Sequence, residues 1–223
     1  MKLKIPIEYE KSFIKFLNCK IDLRKKVFIP RIETEFWVKK AINELKIENC
    51  KLKILDIFAG SGCIGIAILK NIKNSFVDFV DIDKKAIGQI KINLKLNKIP
   101  RERYRIYKSD LFEKIKNKNY NYIFANPPYV AKERLKEVQP SVLKYEPKTS
   151  FLAGKRGLFY IRKFLKEAKK FMKPGGIIYL EIDPQQKDEI KNILEKKGYK
   201  NFKFSRDQFK KHRFVKIENF VKR

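Results

Sequence analysis

Short apolar runs alternate with longer amphipathic stretches along most of the chain. Runs with the length and the β-branched or aromatic character of strands occupy residues 53–58, 76–82, 103–110, 120–127 and 177–183. Helical spacing of apolar residues predicts helices over 84–97 and 156–173, and Pro174-Gly175-Gly176 is expected to end the second. Because strands that alternate with helices form parallel sheets covered on both faces, the pattern predicts an α/β fold.

The two ends of the chain depart from this alternation. Strand-like runs at 202–207 and 213–220 are too close together for a helical crossover, so we expect an antiparallel hairpin. Near the start, β-like pieces at 13–17 and 20–29 precede a helical pattern over 36–45. We therefore expect a small β-hairpin appendage over residues 1–30 and one domain over 31–223, a length that suits a single hydrophobic core.

Composition narrows the functional classes. No apolar run approaches the roughly 20 residues of a membrane span, and the start lacks a signal-peptide pattern, so no membrane association and a cytoplasmic location are expected. The three cysteines form no CxxC pair, and His212 is the only histidine. This argues against metal sites and Ser-His catalysis, and we expect no metal.

The chain is strongly basic, with 54 Lys and Arg against 25 Asp and Glu and a formal net charge of +29. A charge of this sign suits nucleic acid, ribosomes or acidic surfaces as partners. The basic residues are nevertheless spread along the whole chain, which is also typical of a compositional bias. Some non-specific RNA or ribosome affinity at low salt is expected in either case.

A strand, a glycine-rich turn and a helix follow one another in KILDIFAGSGCIGIAIL. Gly60, Gly62 and Gly65 have the G-x-G-x-x-G spacing of a dinucleotide site, although such a turn can also bind nothing. Asp56 ends the strand and would repel a pyrophosphate, whereas it would attract the cationic S-adenosylmethionine. The acidic strand end therefore favours S-adenosylmethionine over NAD.

Two further carboxylates end the next strands. Asp81 is placed to accept hydrogen bonds from ribose hydroxyls, a role that both cofactor types require. Asp110 can accept from an adenine amino group, and a helix cap or a solvated turn residue is an equally good interpretation.

Asn126-Pro127-Pro128-Tyr129 follows the fourth strand of the predicted sheet. The prolines stiffen the segment and donate no hydrogen bonds, so the Asn126 side chain and the flanking carbonyls can accept two hydrogen bonds from one NH2 group. Such acceptors direct the lone pair of a planar nitrogen toward a methyl donor, and Tyr129 can flank the planar group. A simple Asn-Pro turn is the alternative interpretation.

Several blocks together resemble the HemK-type release-factor glutamine methyltransferases, which are seven-stranded class I methyltransferases. The blocks are FIPRIETE, DIFAGSG, VDID, SDLF, NPPY, YEPKTSFLAGKRGL, YLEIDPQQ and DQFKKHRF. The resemblance runs from about Tyr9 to the C-terminus, without most of the family's usual N-terminal helical domain. By this resemblance the S-adenosylmethionine site comprises Phe58, Ala59, Gly60, Ser61, Gly62, Asp81 and Leu111, and Asn126, Pro127, Pro128 and Tyr129 bind and activate the glutamine side chain. Asn126 is also expected to contact the cofactor, close to the transferred methyl group.

The resemblance implies N5-methylation of a glutamine in a peptide chain release factor, with a ribosomal-protein glutamine as a close variant. N6-methylation of adenine in RNA or DNA is a second hypothesis, because the NPPY tetrapeptide suits any planar amine. A non-catalytic, NAD-binding module is a third hypothesis, against which the NPPY tetrapeptide and Asp56 both argue.

Overall fold

The computed structural model describes residues 3–48 and 50–219, and its centre is a seven-stranded sheet. The strand order is β5-β4-β3-β6-β7-β9-β8. The strands are β3 (Leu52–Ile57), β4 (Ser75–Asp81), β5 (Tyr104–Lys108), β6 (Tyr120–Ala125), β7 (Met172–Glu181), β8 (Asn201–Arg206) and β9 (His212–Glu218). Residue 220, where the last predicted strand ends, lies outside the described residues.

The direction of the strands follows the length of the connections. Strands β3 to β7 run parallel to one another, whereas β9 is antiparallel to both β7 and β8. Only residues 207–211 connect β8 to β9, too short a link for a crossover. The predicted α/β fold and the C-terminal hairpin are both confirmed.

Helices cover both faces of the sheet. They are α1 (Ile7–Glu10), α2 (Ile32–Leu45), α3 (Cys63–Asn71), α4 (Lys84–Leu96), α5 (Pro140–Tyr145), α6 (Phe159–Glu167) and α7 (Lys187–Lys196). Apolar residues of α2, α3 and α4 share one core with Ile54, and those of α6 and α7 share a second core with Leu55. Neighbouring residues of one strand thus enter opposite cores, because side chains alternate across a sheet. In the described residues no helix is long and apolar enough to cross a bilayer.

The N-terminal hairpin, β1 (Phe13–Phe16) and β2 (Cys19–Asp22), is held on α4 by buried side-chain amides. Asn97 accepts from the backbone N–H of Lys20 at 3.1 Å and donates to its carbonyl at 2.8 Å. Asn93 forms the same pair of bonds with Asp22, at 2.7 and 3.2 Å. The hairpin also shares the core of α2 to α4. A domain boundary at residue 30 stays a prediction.

The predicted helix over 156–173 is wrong at both ends. Helix α6 covers only Phe159–Glu167, and a 3₁₀ turn follows it over Ala168–Phe171. Pro174-Gly175-Gly176 lies inside β7, where the pairing with β6 jumps from Tyr120↔Met172 to Tyr122↔Ile177. The proline and glycines therefore form an irregularity in a strand, a position that such residues also favour.

Helix α3 packs so closely against β4 that only glycine fits at position 65. A Cβ at this position would overlap the Phe79 ring and come within 2.9 Å of Asp56 Oδ2. We predict that Gly65→Ala destabilises the protein by about 1–3 kcal/mol, the usual cost of overpacking a core. Urea unfolding gives the free energy of unfolding.

Gly88→Ala is the matched control for this substitution. Gly88 lies inside α4, where a Cβ would meet only the Lys25 side chain, at 3.4 Å. Alanine there should leave stability unchanged or raise it by up to about 1 kcal/mol, since glycine is a poor helix former. Equal losses in both variants would contradict the packing argument.

Candidate active site

A cavity opens at the carboxyl ends of β3, β4, β5 and β6, where open α/β sheets bind ligands. Most of the predicted cofactor residues line it: Phe58, Ala59, Gly60, Ser61, Asp81, Asp110, Leu111 and Asn126. Asp56 and Gly62, also predicted there, do not. The structure also adds lining residues to which the sequence analysis assigned no role, among them Phe28, Thr34, Ile82, Asp83, Ala86 and Tyr160.

Asp81 ties the glycine turn to the end of β4. Its Oδ2 accepts from the backbone N–H of Gly60 at 2.8 Å, and its Oδ1 accepts from that of Asp83 at 2.8 Å. Burial raises the pKa of Asp81, and the two backbone donors oppose this rise. Each oxygen keeps a further lone pair, so the carboxylate can still accept hydrogen bonds from a ligand in the cavity.

Gly62 lies behind the cavity wall as the N-cap of α3. Its φ of 79° is in the left-handed region, which glycine adopts without strain. A Cβ there would meet the Ile90 side chain at 3.1 Å. Gly62 therefore shapes the turn, and its predicted cofactor contact has no support from its position.

Asp56 lies beneath the turn, not in the cavity. It is 1% exposed, and its Oδ2 accepts from the backbone N–H of Gly65 at 2.9 Å. Its Oδ1 is buried without a hydrogen-bond partner. Burial, together with the nearby Asp81 carboxylate, raises the pKa of Asp56 to about 8. The expectation of a direct contact with the cofactor is thus corrected: a neutral Asp56 supports the turn from below.

Phe58 occupies a backbone conformation that is unusual for an aromatic residue. Its φ is 61°, where side chains other than glycine carry a cost of about 1–2 kcal/mol. The ring packs edge-on against Tyr160, with centroids 6.1 Å apart, and against Phe164 at 6.3 Å. These contacts offset the backbone cost and make one wall of the cavity aromatic.

Asp110 forms an ion pair with Lys163 of α6, with Oδ2 and Nζ 2.5 Å apart. Because it also lines the cavity, its second oxygen is available to a ligand. The ion pair links α6 to the loop after β5. The adenine role of Asp110 stays a prediction.

A second cavity adjoins the first across the NPPY segment. Asn126 and Pro128 line both cavities, whereas Pro127 and Tyr129 line only the second. Phe28 and Ser150 also belong to both. The tetrapeptide therefore lies at the boundary between two spaces, one of which carries the predicted cofactor residues.

The second cavity contains charged side chains to which the sequence analysis assigned no role. Besides the tetrapeptide, its charged lining residues are Glu8, Arg31, Glu33, Glu137, Glu181 and Arg213. Tyr129 donates through its hydroxyl to Glu181 Oε1 at 3.2 Å. Burial raises the pKa of Tyr129 well above its usual value, so the side chain stays a neutral donor.

Two loops near the cavities are joined by a buried ion pair. Arg31 donates to Glu146 Oε1 at 2.5 Å, and the backbone N–H of Ile29 donates to Oε2 at 3.2 Å. Glu146 is 5% exposed. The FIPRIETE and YEP segments, far apart in sequence, thus meet through these contacts. Sequence patterns gave no signal for this pairing because it is non-local.

Gln186 holds the tetrapeptide from behind. Its Nε2 donates to the carbonyls of Tyr129 and Arg156, each at 2.9 Å. Gly157 leaves space for this contact, since a Cβ there would overlap the Tyr129 carbonyl oxygen. In the described residues no group of three or more His, Cys, Asp or Glu side chains is arranged to hold a metal.

Comparison with known proteins decides the family. Residues 38–144 match the family model of the methyltransferase small domain. The release factor glutamine methyltransferase of Clostridium acetobutylicum is 32% identical over 96% of this chain and 75% of its own length. That of Borreliella burgdorferi is 36% identical over 94% of this chain and 71% of its own length.

This chain belongs to the release factor glutamine methyltransferase family. The resemblance seen in the sequence blocks is confirmed. Among solved structures, TYW2 of M. jannaschii in complex with AdoMet has a TM-score of 0.57 and 16% identity, covering 99% of this chain and 90% of that one. At that identity the likeness shows the fold alone, and it confirms the class I methyltransferase fold.

The first cavity fits the cofactor of this glutamine methyltransferase family. S-adenosylmethionine carries positive charge, and the cavity is lined by the carboxylates of Asp81, Asp83 and Asp110. Ile82, Ala86 and Leu111 add apolar surface of the kind that an adenine ring requires. Above Gly60 a Cβ would meet nothing within 4 Å, so the backbone is open to a ligand. Fold and family support S-adenosylmethionine as the cofactor, as the sequence predicts.

The buried Asp56 predicts a pH-dependent stability. Its pKa is 3.8 as an ordinary side chain and about 8 in the fold, so between these values the folded protein binds a proton that the unfolded chain has lost. Raising the pH across this window therefore lowers the free energy of unfolding, by up to about 1.4 kcal/mol per pH unit. Asp56→Asn should remove this loss. Urea unfolding at pH 5, 7 and 9 measures it.

Asp188→Asn is the control, because the Asp188 side chain is 90% exposed on α7. Its unfolding free energy should follow the wild-type pH profile. Parallel profiles for Asp56→Asn and wild type would contradict a neutral Asp56 in the folded protein.

Proposed function

We propose that this protein transfers a methyl group from S-adenosylmethionine to the side-chain amide nitrogen of a glutamine in a peptide chain release factor. One observation carries the proposal: Asn126 and Pro128 form the boundary between the cofactor cavity and the second cavity. A glutamine side chain in the second cavity would reach the methyl donor across this boundary. The substrate named for the curated relatives supports the choice of acceptor.

The chemistry required is positioning of a weak nucleophile. The lone pair of an amide nitrogen is delocalised into the carbonyl, and hydrogen bonds from both amide hydrogens to the Asn126 oxygen and a neighbouring carbonyl direct it toward the cofactor. Bound S-adenosylmethionine would supply an activated methyl group, and the acceptor nitrogen would lose one of its two protons to solvent as the N-methyl amide forms. Tyr129 flanks the acceptor, and the rigid prolines keep the two acceptor oxygens in place, so that orientation replaces a strong base.

Asn126→Ala should lower turnover by roughly 100- to 1,000-fold, which is the usual cost of losing one preorganised polar contact at a reacting group. Stability should change little, because the prolines, the glycine turn and the sheet remain intact. The turnover number and the cofactor Kd are measured separately, with a purified release factor and radiolabelled S-adenosylmethionine.

Asn192→Ala is the matched control, since Asn192 is exposed on α7 and lines neither cavity. It should keep wild-type turnover. An Asn126→Ala protein that binds cofactor and transfers methyl within tenfold of wild type would mean that the tetrapeptide is only a turn.

The acceptor itself is tested by offering wild-type enzyme a release factor, total ribosomes, RNA and DNA in parallel. We expect label on the release factor, at a glutamine. Label confined to RNA or DNA would replace the proposal by N6-adenine methylation. Label confined to a ribosomal protein would keep the reaction and change the acceptor.

The basic surface is proposed to assist docking of an acidic release factor surface or its ribosomal complex, and this goes with a cytoplasmic site of action. The net charge of +29 attracts such partners over distances of about the Debye length, which salt shortens. The KM for the protein acceptor should therefore rise between low and physiological salt while the cofactor Kd stays constant. A KM that does not vary with salt would remove charge from the docking step.

A further inference from the structure

The side-chain amide of Asn126 ends in two atoms of opposite hydrogen-bonding character, since Oδ1 accepts hydrogen bonds and Nδ2 donates them. The proposed role needs its Oδ1 to face the acceptor NH2 group, because an amide nitrogen there would present hydrogens to hydrogens. The atoms are similar in shape, so a rotation of the amide by 180° would exchange them. Something in the fold must therefore choose between the two orientations.

Glu181, at the end of β7, is the central acceptor of the hydrogen-bond network around Asn126. It is 1% exposed and accepts hydrogen bonds from three side chains. Thr34 Oγ1 and Trp37 Nε1, both on α2, donate to Oε2 at 2.7 and 2.8 Å. The Tyr129 hydroxyl donates to Oε1 at 3.2 Å.

The direction of these bonds follows from Trp37. An indole N–H can only donate, so Oε2 has to remain an acceptor. Burial raises the pKa of Glu181, while Thr34, Trp37, Arg213 and Tyr129 oppose this rise. An ionised Glu181 carries no hydrogen and only accepts, so Thr34 donates its hydroxyl hydrogen to Oε2.

Because the Thr34 hydroxyl hydrogen is already bonded to Glu181, Thr34 determines the orientation of the Asn126 side-chain amide. Since the Thr34 hydroxyl hydrogen points at Glu181, Thr34 Oγ1 can only accept a further hydrogen bond, and Asn126 Nδ2 donates to it at 3.4 Å. The reversed amide would place two oxygens side by side with no hydrogen between them. The bond is long, as catalytic hydrogen bonds often are before substrate binds. The remaining end of the amide, Oδ1, is left for the acceptor.

We infer that Thr34 and Glu181 are positioning residues that lock the Asn126 amide with its oxygen toward the acceptor. The inference rests on the proposed function. Thr34 comes from the start of α2, Glu181 from the end of β7, and Asn126 from the end of β6. Thr34, within the FIPRIETE segment, therefore acts on the methyl acceptor through Asn126.

Thr34→Val tests this with little change of shape, because it replaces the hydroxyl by a methyl group. Turnover should fall by about 10- to 100-fold, which is the cost of a misplaced reacting group, while the KM for acceptor changes less. Thr34→Ser keeps the hydroxyl and should stay within about threefold of wild type. In the Asn126→Ala background Thr34→Val should add no further loss, because the residue that it positions is gone.

A spectroscopic measurement makes the test independent of any acceptor. In ¹⁵N-labelled protein the Asn126 side-chain amide signal is identified by its absence from Asn126→Ala. Wild type and Thr34→Ser should share its hydrogen-bonded chemical shift, and Thr34→Val should lose it. Urea unfolding of each variant shows whether a loss of activity reflects a loss of fold.

Several outcomes would overturn the inference: an unchanged amide signal in Thr34→Val, Thr34→Ser as impaired as Thr34→Val, or additive losses with Asn126→Ala. Failure of the proposed function is a different result, namely a wild-type enzyme that leaves the release factor unlabelled. In that case the amide signal still decides the inference, and the kinetic series is repeated on the acceptor that wild type labels.

Discussion

The parallel arrangement of β3, β4, β6 and β7 is the constraint on which the site depends. Parallel strands bring their carboxyl ends to one edge, and polar residues stand at or next to each of these ends: Asp56, Asp81, Asn126 and Glu181. A short distance across the sheet thus joins residues that are up to 125 positions apart in the chain. No local motif could collect a cofactor site and an acceptor site in this way.

Burying a carboxylate at the edge of the sheet costs desolvation free energy, and each acid in this structure has a different set of hydrogen-bond donors to offset that cost. Asp81 and Glu181 receive donors on both oxygens, so each is held as a hydrogen-bond acceptor. Burial raises the pKa of all three carboxyl groups, and at Asp56, which has one donor and one unpartnered oxygen, the pKa reaches about 8. Three acids therefore differ according to their neighbours: Asp81 lines the cavity, Asp56 supports the glycine turn, and Glu181 accepts hydrogen bonds from α2 and Tyr129.

Features coded by neighbouring residues could be predicted from the sequence: the strands, the glycine turn at Gly60, the C-terminal hairpin and the position of the NPPY segment directly after β6. Features that depend on distant partners could not. The Arg31–Glu146 pair and the Thr34–Glu181 bond join segments more than 100 residues apart. Asp56 was expected to face the ligand because it ends a strand, but its depth depends on how α3 packs against β4.

The N-terminal hairpin docks on α4 because two spacings match, that of the side-chain amides along the helix and that of the backbone groups along β2. Asn93 in α4 and Asn97 at its C-cap are four residues apart, a rise of about 6 Å, and their partners Lys20 and Asp22 are two residues apart on a strand, about 6.6 Å. The helix thereby imitates the hydrogen-bonding edge of a neighbouring strand. Since the amides bind the backbone of the hairpin, replacing an outward side chain such as that of Lys20 would leave these bonds in place, whereas a shift of the strand register would break them.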